Sequence, residues 1–208
     1  MLENIDLFKG LNSKELETLE ASGKRRKYKS GSIILNKGDT TSYLFVLISG
    51  QVDAYIEEDD KRIVVNTITQ GESFGELAML AGEPRSVNIV AVKDCEVLVL
   101  QEDVIYKYLA ASTQFAKNII QRLAKQVIAL TEDVTCFALF DVYHRLTRVL
   151  EQHSDKGMTD RITQQEIADR VGSSREMVSR ILKDLRTGGY ISIENKRISI
   201  NKQLPKDW

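Results

Sequence analysis

The 208-residue chain is short of cysteine, histidine and long apolar runs, and each shortage removes a class of function. Cys95 and Cys136 stand alone and far apart, which excludes a disulfide framework and a Cys-rich cluster site. The two histidines, His144 and His153, form no metal-ligand motif, and lone histidines are mostly structural or solvated. No apolar run approaches the roughly 18 residues needed to cross a bilayer, so no membrane association is expected. The start, Met1-Leu2-Glu3-Asn4, lacks a basic segment followed by an apolar one. No secretory signal is therefore expected, and a cytoplasmic location is the simplest reading. No nucleophile–base pair is visible either, so an enzyme is not expected. What is present, 42% hydrophobic and 28% charged residues, is the composition of a globular protein.

A net charge of −1 hides an asymmetry. Residues 1–140 carry 16 Lys and Arg against 20 Asp and Glu, whereas residues 141–208 carry 13 against 10. Within the latter, residues 161–206 carry 10 against 5. A basic C-terminal piece on an acidic body is what local nucleic-acid binding needs.

Periodicity divides the chain. After a short helical start from Leu7 to Ala21, residues 28–100 alternate Val, Ile, Tyr and Phe runs with turn residues such as Lys37-Gly38-Asp39 and Ser49-Gly50. That pattern predicts a β-barrel or sandwich. Acidic Glu57-Glu58-Asp59-Asp60 reads as a solvated hairpin tip. From residue 103 to 140 the period becomes helical. Ala116, Ile120, Leu123, Val127, Leu130, Val134 and Phe137 alternate spacings of four and three, an a/d seam that favours helix pairing and hence a homodimer. An amphipathic helix packed on its own barrel is the alternative. Asp141 suits the N-cap of a further helix through Leu150, which places a domain boundary there, and residues 153–160 read as a loop.

The C-terminal segment carries the sharpest pattern. Thr163-Gln164-Gln165-Glu166 predicts a capping box opening a short helix, Gly172 stops it, and Ser173-Ser174-Arg175-Glu176 predicts a second capping box. The second helix would bury Val178, Ile181, Leu182 and Leu185, and the small Ala168 lies where two helices cross. Two capped helices joined at one glycine make a helix-turn-helix. At about 100° per residue, Glu176, Ser179, Arg180 and Lys183 turn away from the buried face, and Arg175 reaches forward from the first turn. Arginine matches guanine O6 and N7, and a glutamate accepts from cytosine N4. Ser173, Ser174 and the helix N-terminus offer donors to phosphate. Glu176 and Arg180 also suit an ordinary i, i+4 ion pair. Alternating Tyr190–Ile193 and Arg197–Ile200 around Glu194-Asn195-Lys196 predict a hairpin wing.

Along essentially its whole length the sequence resembles the cyclic-AMP receptor protein/FNR superfamily of bacterial regulators. Residues 162–167 (ITQQEI) and 174–183 (SREMVSRILK) are similar to that family's recognition unit, with the Arg-Glu-x-x-x-Arg spacing of the cyclic-AMP receptor protein branch. The resemblance implies a palindromic site with TGTGA-type half-sites, read by Thr163, Gln165, Ser174, Arg175, Glu176, Ser179, Arg180 and Lys183. Phe74-Gly75-Glu76-Leu77-Ala78 followed by Pro84-Arg85-Ser86 resembles the phosphate-binding cassette of a cyclic-nucleotide-binding domain. It implies a ligand site of Gly75, Glu76, Leu77, Arg85, Ser86 and Thr131. Arg85 would fork onto a cyclic phosphate, Ser86 would donate to it, and Glu76 would accept from a ribose 2′-hydroxyl. Two positions depart from the family. Leu130-Thr131 stand where Thr-Ser contacts adenine, and leucine cannot bond an amino group. Val87 stands where alanine is usual.

The expected fold is α+β: an N-terminal cyclic-nucleotide-binding β-roll of jelly-roll type (residues 1–102), a long central dimerisation helix (103–140) and a C-terminal winged helix-turn-helix (141–208). The dimer seam comprises Ile120, Leu123, Val127, Leu130, Val134 and Phe137. The expected effector is cyclic AMP or another cyclic nucleotide, with no covalent cofactor and no metal. RNA polymerase is an implied partner, touched by the acidic tip or by basic Lys24-Arg25-Arg26-Lys27. The alternative is a family member that binds DNA without a nucleotide or senses a different ligand: another nucleotide second messenger, haem or a redox signal. Two distant cysteines cannot supply the four ligands of an iron–sulfur cluster.

Overall fold

The computed structural model describes residues 2–59, 61–152, 154–155, 158–159 and 162–205. His153 and Asp60 lie outside the described residues. The chain forms two compact units, Met1–Ile56 with Val65–Ile128, and Glu57–Val64 with Ala129–Trp208.

In the first unit, helix formation begins later than the sequence suggests. Two 3-10 turns, Leu2–Asn4 and Asp6–Phe8, precede Gly10, whose φ of 88° breaks the chain direction. Asn12 then accepts from the Glu15 N–H at 3.0 Å, and the Glu15 carboxylate accepts from the Asn12 N–H at 2.7 Å. This capping box opens α1 (Ser13–Ser22).

Strands β1 (Lys24–Tyr28), β2 (Ile33–Leu35), β3 (Tyr43–Ser49), β4 (Gln51–Glu58), β5 (Lys61–Thr69), β6 (Ser73–Phe74), β7 (Asn88–Ala91) and β8 (Cys95–Gln101) follow, with α2 (Glu76–Ala81) between β6 and β7. They form two sheets, β1-β8-β3-β6 and β2-β7-β4-β5. Strandedness starts at Lys24, four residues before the apolar alternation, because β1 pairs with β8 through its backbone while its charged side chains stay exposed. Side chains of a strand alternate faces. Phe45, Leu47, Val97 and Val99 therefore point between the sheets to meet Leu35, Val52, Ile68 and Ile89. Leu44, Val46, Leu98 and Leu100 point the other way, into a second core with Phe8, Leu19, Met79, Ile105, Phe115 and Ile119. β3 and β8 are thus buried on both faces, which explains their nearly unbroken apolar runs.

The helical stretch from residue 103 is two helices. α3 (Glu102–Ala111) ends at Ser112, whose backbone is extended and whose hydroxyl accepts from the Phe115 N–H at 3.2 Å. This serine caps α4 (Thr113–Leu139). Asn118 on α4 donates to the carbonyls of Leu7 and Lys9 at 3.0 and 2.8 Å, fixing the N-terminal arm.

In the second unit, Asp141 accepts from the His144 N–H at 2.9 Å and caps α5 (Val142–Gln152). The expected loop over residues 153–160 contains two short strands, β9 (Ser154–Asp155) and β10 (Met158–Thr159). Backbone pairing of β10 with the wing creates them, a tertiary cause that no local pattern reveals. α6 (Gln164–Val171) and α7 (Arg175–Thr187) form the helix-turn-helix, and β11 (Ile191–Glu194) with β12 (Arg197–Ile200) the wing. Val178, Ile181, Leu182 and Leu185 join Leu146, Leu150, Ile167, Ala168 and Val171 in one core.

Candidate functional site

Gly75 sets the geometry of the β-roll cassette. Its φ of 86° turns the chain from β6 into α2, a conformation that only glycine adopts without penalty. A Cβ there would lie 2.9 Å from both Arg85 Nη1 and the Tyr43 carbonyl. Arg85 is only 4% exposed. Its guanidinium donates to the Gly75 carbonyl and, at 2.9 Å, to the Tyr43 carbonyl, and lies 5.9 Å from the Phe45 ring centre. The expected fork is thus closed on two backbone carbonyls. Burial pushes the Arg85 guanidinium pKa down, and the charges of Glu76 and Asp39 offset this in part. A buried, weakly neutralised cation of this kind attracts an anion.

Glu76 is 2% exposed. Its Oε1 accepts from Gln126 Nε2 at 3.0 Å and lies 3.5 Å from Arg122 Nε, and Arg122 also donates to the Ser73 carbonyl. Among the described residues, Ser73 Oγ, Glu76 Oε2, Arg85 Nε and Gln126 Oε1 are buried without a hydrogen-bond partner. Native interiors rarely leave such atoms unmet, and their clustering fits a polar ligand. Leu77 and Ser86 are exposed. Thr131 lies exposed on α4, in the second unit. Arg122 and Gln126 went unnoticed in the sequence. Their signal is the stripe Phe115, Ile119, Arg122, Gln126, with the same four-three spacing as the seam but on another face.

On α4 the seam residues Ile120, Val127, Leu130 and Val134 are 66, 61, 53 and 68% exposed. Phe137 is partly exposed, under the Arg145 guanidinium at 5.0 Å, while Leu123 packs against the first unit's core. The two readings of this helix therefore share it by face: Phe115, Ile119 and Leu123 pack inward, and an apolar stripe stays open.

In the helix-turn-helix, Thr163 accepts from Glu166 N–H at 3.2 Å and Glu166 accepts from Thr163 N–H at 2.6 Å, a complete capping box. Gly172 takes φ 61°, and the N–H groups of Gly172 and Ser173 both return to the Ala168 carbonyl. That tight turn absorbs Ser173, so α7 starts one residue later than the expected box. Its cap is Ser174, which accepts from Met177 N–H at 3.2 Å without a reciprocal partner. Arg175, Glu176, Arg180 and Lys183 are exposed on α7, and Ser179 is half-buried. Arg180 contacts Met177 Sδ, and Gln165 donates to Asp169 at 2.8 Å. Thr163, Gln165, Arg175 and Lys196 border a cleft of about 390 Å³ between α6, α7 and the wing.

A cassette with a buried arginine and a winged helix-turn-helix in one chain are the parts of a transcription regulator. Residues 25–112 match the cyclic nucleotide-binding domain family, and residues 121–203 the Crp-like helix-turn-helix domain family. The cAMP-activated global transcriptional regulator Vfr of Pseudomonas aeruginosa is 32% identical over 201 residues, 90% of this chain and 94% of that protein. The cAMP-activated regulator CRP of Salmonella typhimurium is 32% identical over 189 residues, 84% of this chain and 88% of that protein. The solved c-di-GMP-responsive regulator CLP of Xanthomonas campestris superposes with a TM-score of 0.81 at 26% identity, over 92% of this chain and all (100%) of that one. The chain belongs to the CRP family of transcription regulators, with a cyclic-nucleotide-binding domain and a helix-turn-helix DNA-binding domain. Its relatives are regulators rather than enzymes. Among the described residues no helix is long and apolar enough to cross a membrane, and no cluster suits a metal ion.

Proposed function

We propose that the protein is a homodimeric cytoplasmic regulator that binds a palindromic, TGTGA-type DNA site under control of a cyclic nucleotide, cyclic AMP first. It divides into an effector domain (1–102), a dimerisation helix (103–140) and a winged helix-turn-helix (141–208). The observation that carries the control is the buried cassette, in which Arg85 and Glu76 keep polar atoms unmet. Arg85 releases a carbonyl to fork onto the phosphate, Ser86 adds a donor, and Gly75 and Leu77 line the approach. Thr131 reaches the base. The open stripe from Ile120 to Phe137 supports pairing of two copies along α4. Arg175, Glu176 and Arg180 then read base edges, while Thr163, Gln165, Ser174, Ser179 and Lys183 address phosphates and flanking bases.

RNA polymerase is the proposed partner on DNA. On β1, Arg25 is committed to Glu20 and Glu96, which leaves Lys24 and Arg26 as the better-placed cations for it. Leu130 favours a second reading, since it offers adenine no hydrogen bond. Cyclic di-GMP, to which the regulator CLP responds, is then the effector. Calorimetry of the purified protein with cyclic AMP, cyclic GMP and cyclic di-GMP decides between them. Heat with the first establishes the main reading, heat with the last alone replaces it, and heat with none removes nucleotide control.

A further inference from the structure

We propose that Arg62, on the β4–β5 hairpin, serves DNA binding: it neutralises Asp169 on α6, so that Gln165 meets a DNA phosphate without a bare carboxylate behind it. Arg62 is a positioning residue and touches no DNA itself. The inference rests on reading Gln165 as a phosphate contact.

The hairpin tip, Glu57–Val64, is part of the second unit. Two contacts hold it there. Arg62 Nε lies 3.8 Å from Asp169 Oδ2, and the two side chains are 33 and 12% exposed. Ile63 lies over the corner of the helix-turn-helix: a Cβ on Gly172 would stand 3.3 Å from Ile63 Cδ1 and 2.9 Å from Phe137 Cε1. Arg145 braces the same corner, donating to the Val171 carbonyl at 2.9 Å and covering the Phe137 ring. The ion pair is therefore seated on packed neighbours, unlike a surface pair of two swinging side chains.

Asp169 is a shared carboxylate. Its Oδ1 accepts from Gln165 Nε2 at 2.8 Å, one turn earlier on α6, while Oδ2 faces Arg62. The Gln165 amide carries two N–H groups. Asp169 takes one and so fixes the amide, which leaves the other to donate to a phosphate oxygen. Gln165 is exposed, on a cleft that Arg175 and Lys196 also border. Without a counter-charge, Asp169 would repel the phosphate that its neighbour binds. Arg62 cancels that repulsion. Glu57, Glu58 and Asp59 of the same hairpin stay exposed and have the wrong sign for this work.

The test is a double-mutant cycle on the full chain with saturating cyclic AMP. Fluorescence anisotropy reads binding to a TGTGA palindrome and to a random duplex of equal length. Arg62→Met should weaken both about threefold to tenfold in ~0.1 M salt, because both carry phosphates. The loss should shrink as salt rises, since salt screens the uncovered carboxylate. Asp169→Asn removes the charge and keeps an acceptor for Gln165. Added to Arg62→Met, it should restore wild-type affinity within about twofold. Glu58→Gln restores the same net charge elsewhere on the hairpin and should not rescue. Lost packing alone predicts neither the salt dependence nor the rescue. Undiminished affinity in Arg62→Met, no rescue by Asp169→Asn, or equal rescue by Glu58→Gln overturns the proposal. If the wild type binds both duplexes equally, the operator reading fails and the random duplex still decides this one. Binding of neither overturns both. Arg62→Gln repeats the cycle should the Met variant not fold by circular dichroism.

Discussion

Arg85 and Arg180 carry the same guanidinium in opposite surroundings, and the roles proposed for them differ accordingly. Arg85 is buried against two carbonyls and a phenyl ring, where exchanging a carbonyl for a phosphate oxygen gains charge neutralisation. Gly75→Ala should therefore remove ligand binding and cost roughly 1–2 kcal/mol of stability, since it forces a Cβ into the left-handed region and against Arg85. Titration calorimetry and denaturant melts check the two effects separately. Arg180, exposed on α7, should lose about 1–3 kcal/mol of DNA affinity as Arg180→Ala and relax specificity at one base pair. Anisotropy titrations over single-base operator variants measure this, and unchanged specificity would assign Arg180 to phosphate alone. Gly75, Glu76 and Arg85 could be singled out in the sequence because a left-handed turn, a carboxylate and a guanidinium at that spacing stand out locally, and the structure brings the three together. Arg122 and Gln126 were not, because a polar i, i+4 pair on a helix reads as a solvated face until β6 and α2 come against it.

Among the elements, α4 shows how far periodicity carries and where it stops. Its heptad spacing located the apolar stripe, but not the break at Ser112, since no glycine or proline marks it and only an extended serine and a hydroxyl cap reveal it. Val127→Glu with Val134→Glu should shift the protein to a monomer in sedimentation equilibrium, because both sites are exposed in one copy and become buried, unpaired charges in two. A dimer unmoved by both changes would place its interface elsewhere. Caps were legible where chemistry is local. Asp141, Thr163 and Gly172 stand as expected, while Ser173 lost the α7 cap to Ser174 because the turn consumed one residue more. The Asp141 carboxyl is held below its usual 3.8, first by the His144 N–H and then by the His144 ring. A depressed carboxylate contributes stability above its unfolded pKa and loses it as the pH falls through the folded value. Asp141→Ala should thus cost about 1 kcal/mol at neutral pH, and in thermal melts the gap from wild type should close below about pH 4.

For the whole molecule, coupling of ligand to DNA is a statement about two equilibria that must agree. If cyclic AMP raises operator affinity by a factor, saturating operator must raise cyclic AMP affinity by the same factor, whatever rearrangement joins them. Typical couplings are about 5–150-fold, within reach of anisotropy for DNA and calorimetry for nucleotide. Two copies paired along α4 should read half-sites roughly 34 Å apart, one turn of the duplex. Adding about five base pairs between the half-sites turns one of them to the opposite side of the helix. Affinity for the palindrome should then fall to that of a single half-site, and the nucleotide should restore none of it. The basic residues 161–206 contribute charge attraction that is blind to spacing, so binding to the altered site should weaken steeply with salt and keep only the sequence preference of one half-site. Full affinity on the lengthened site would mean that the two recognition helices act independently, and that the open stripe on α4 does not set their separation.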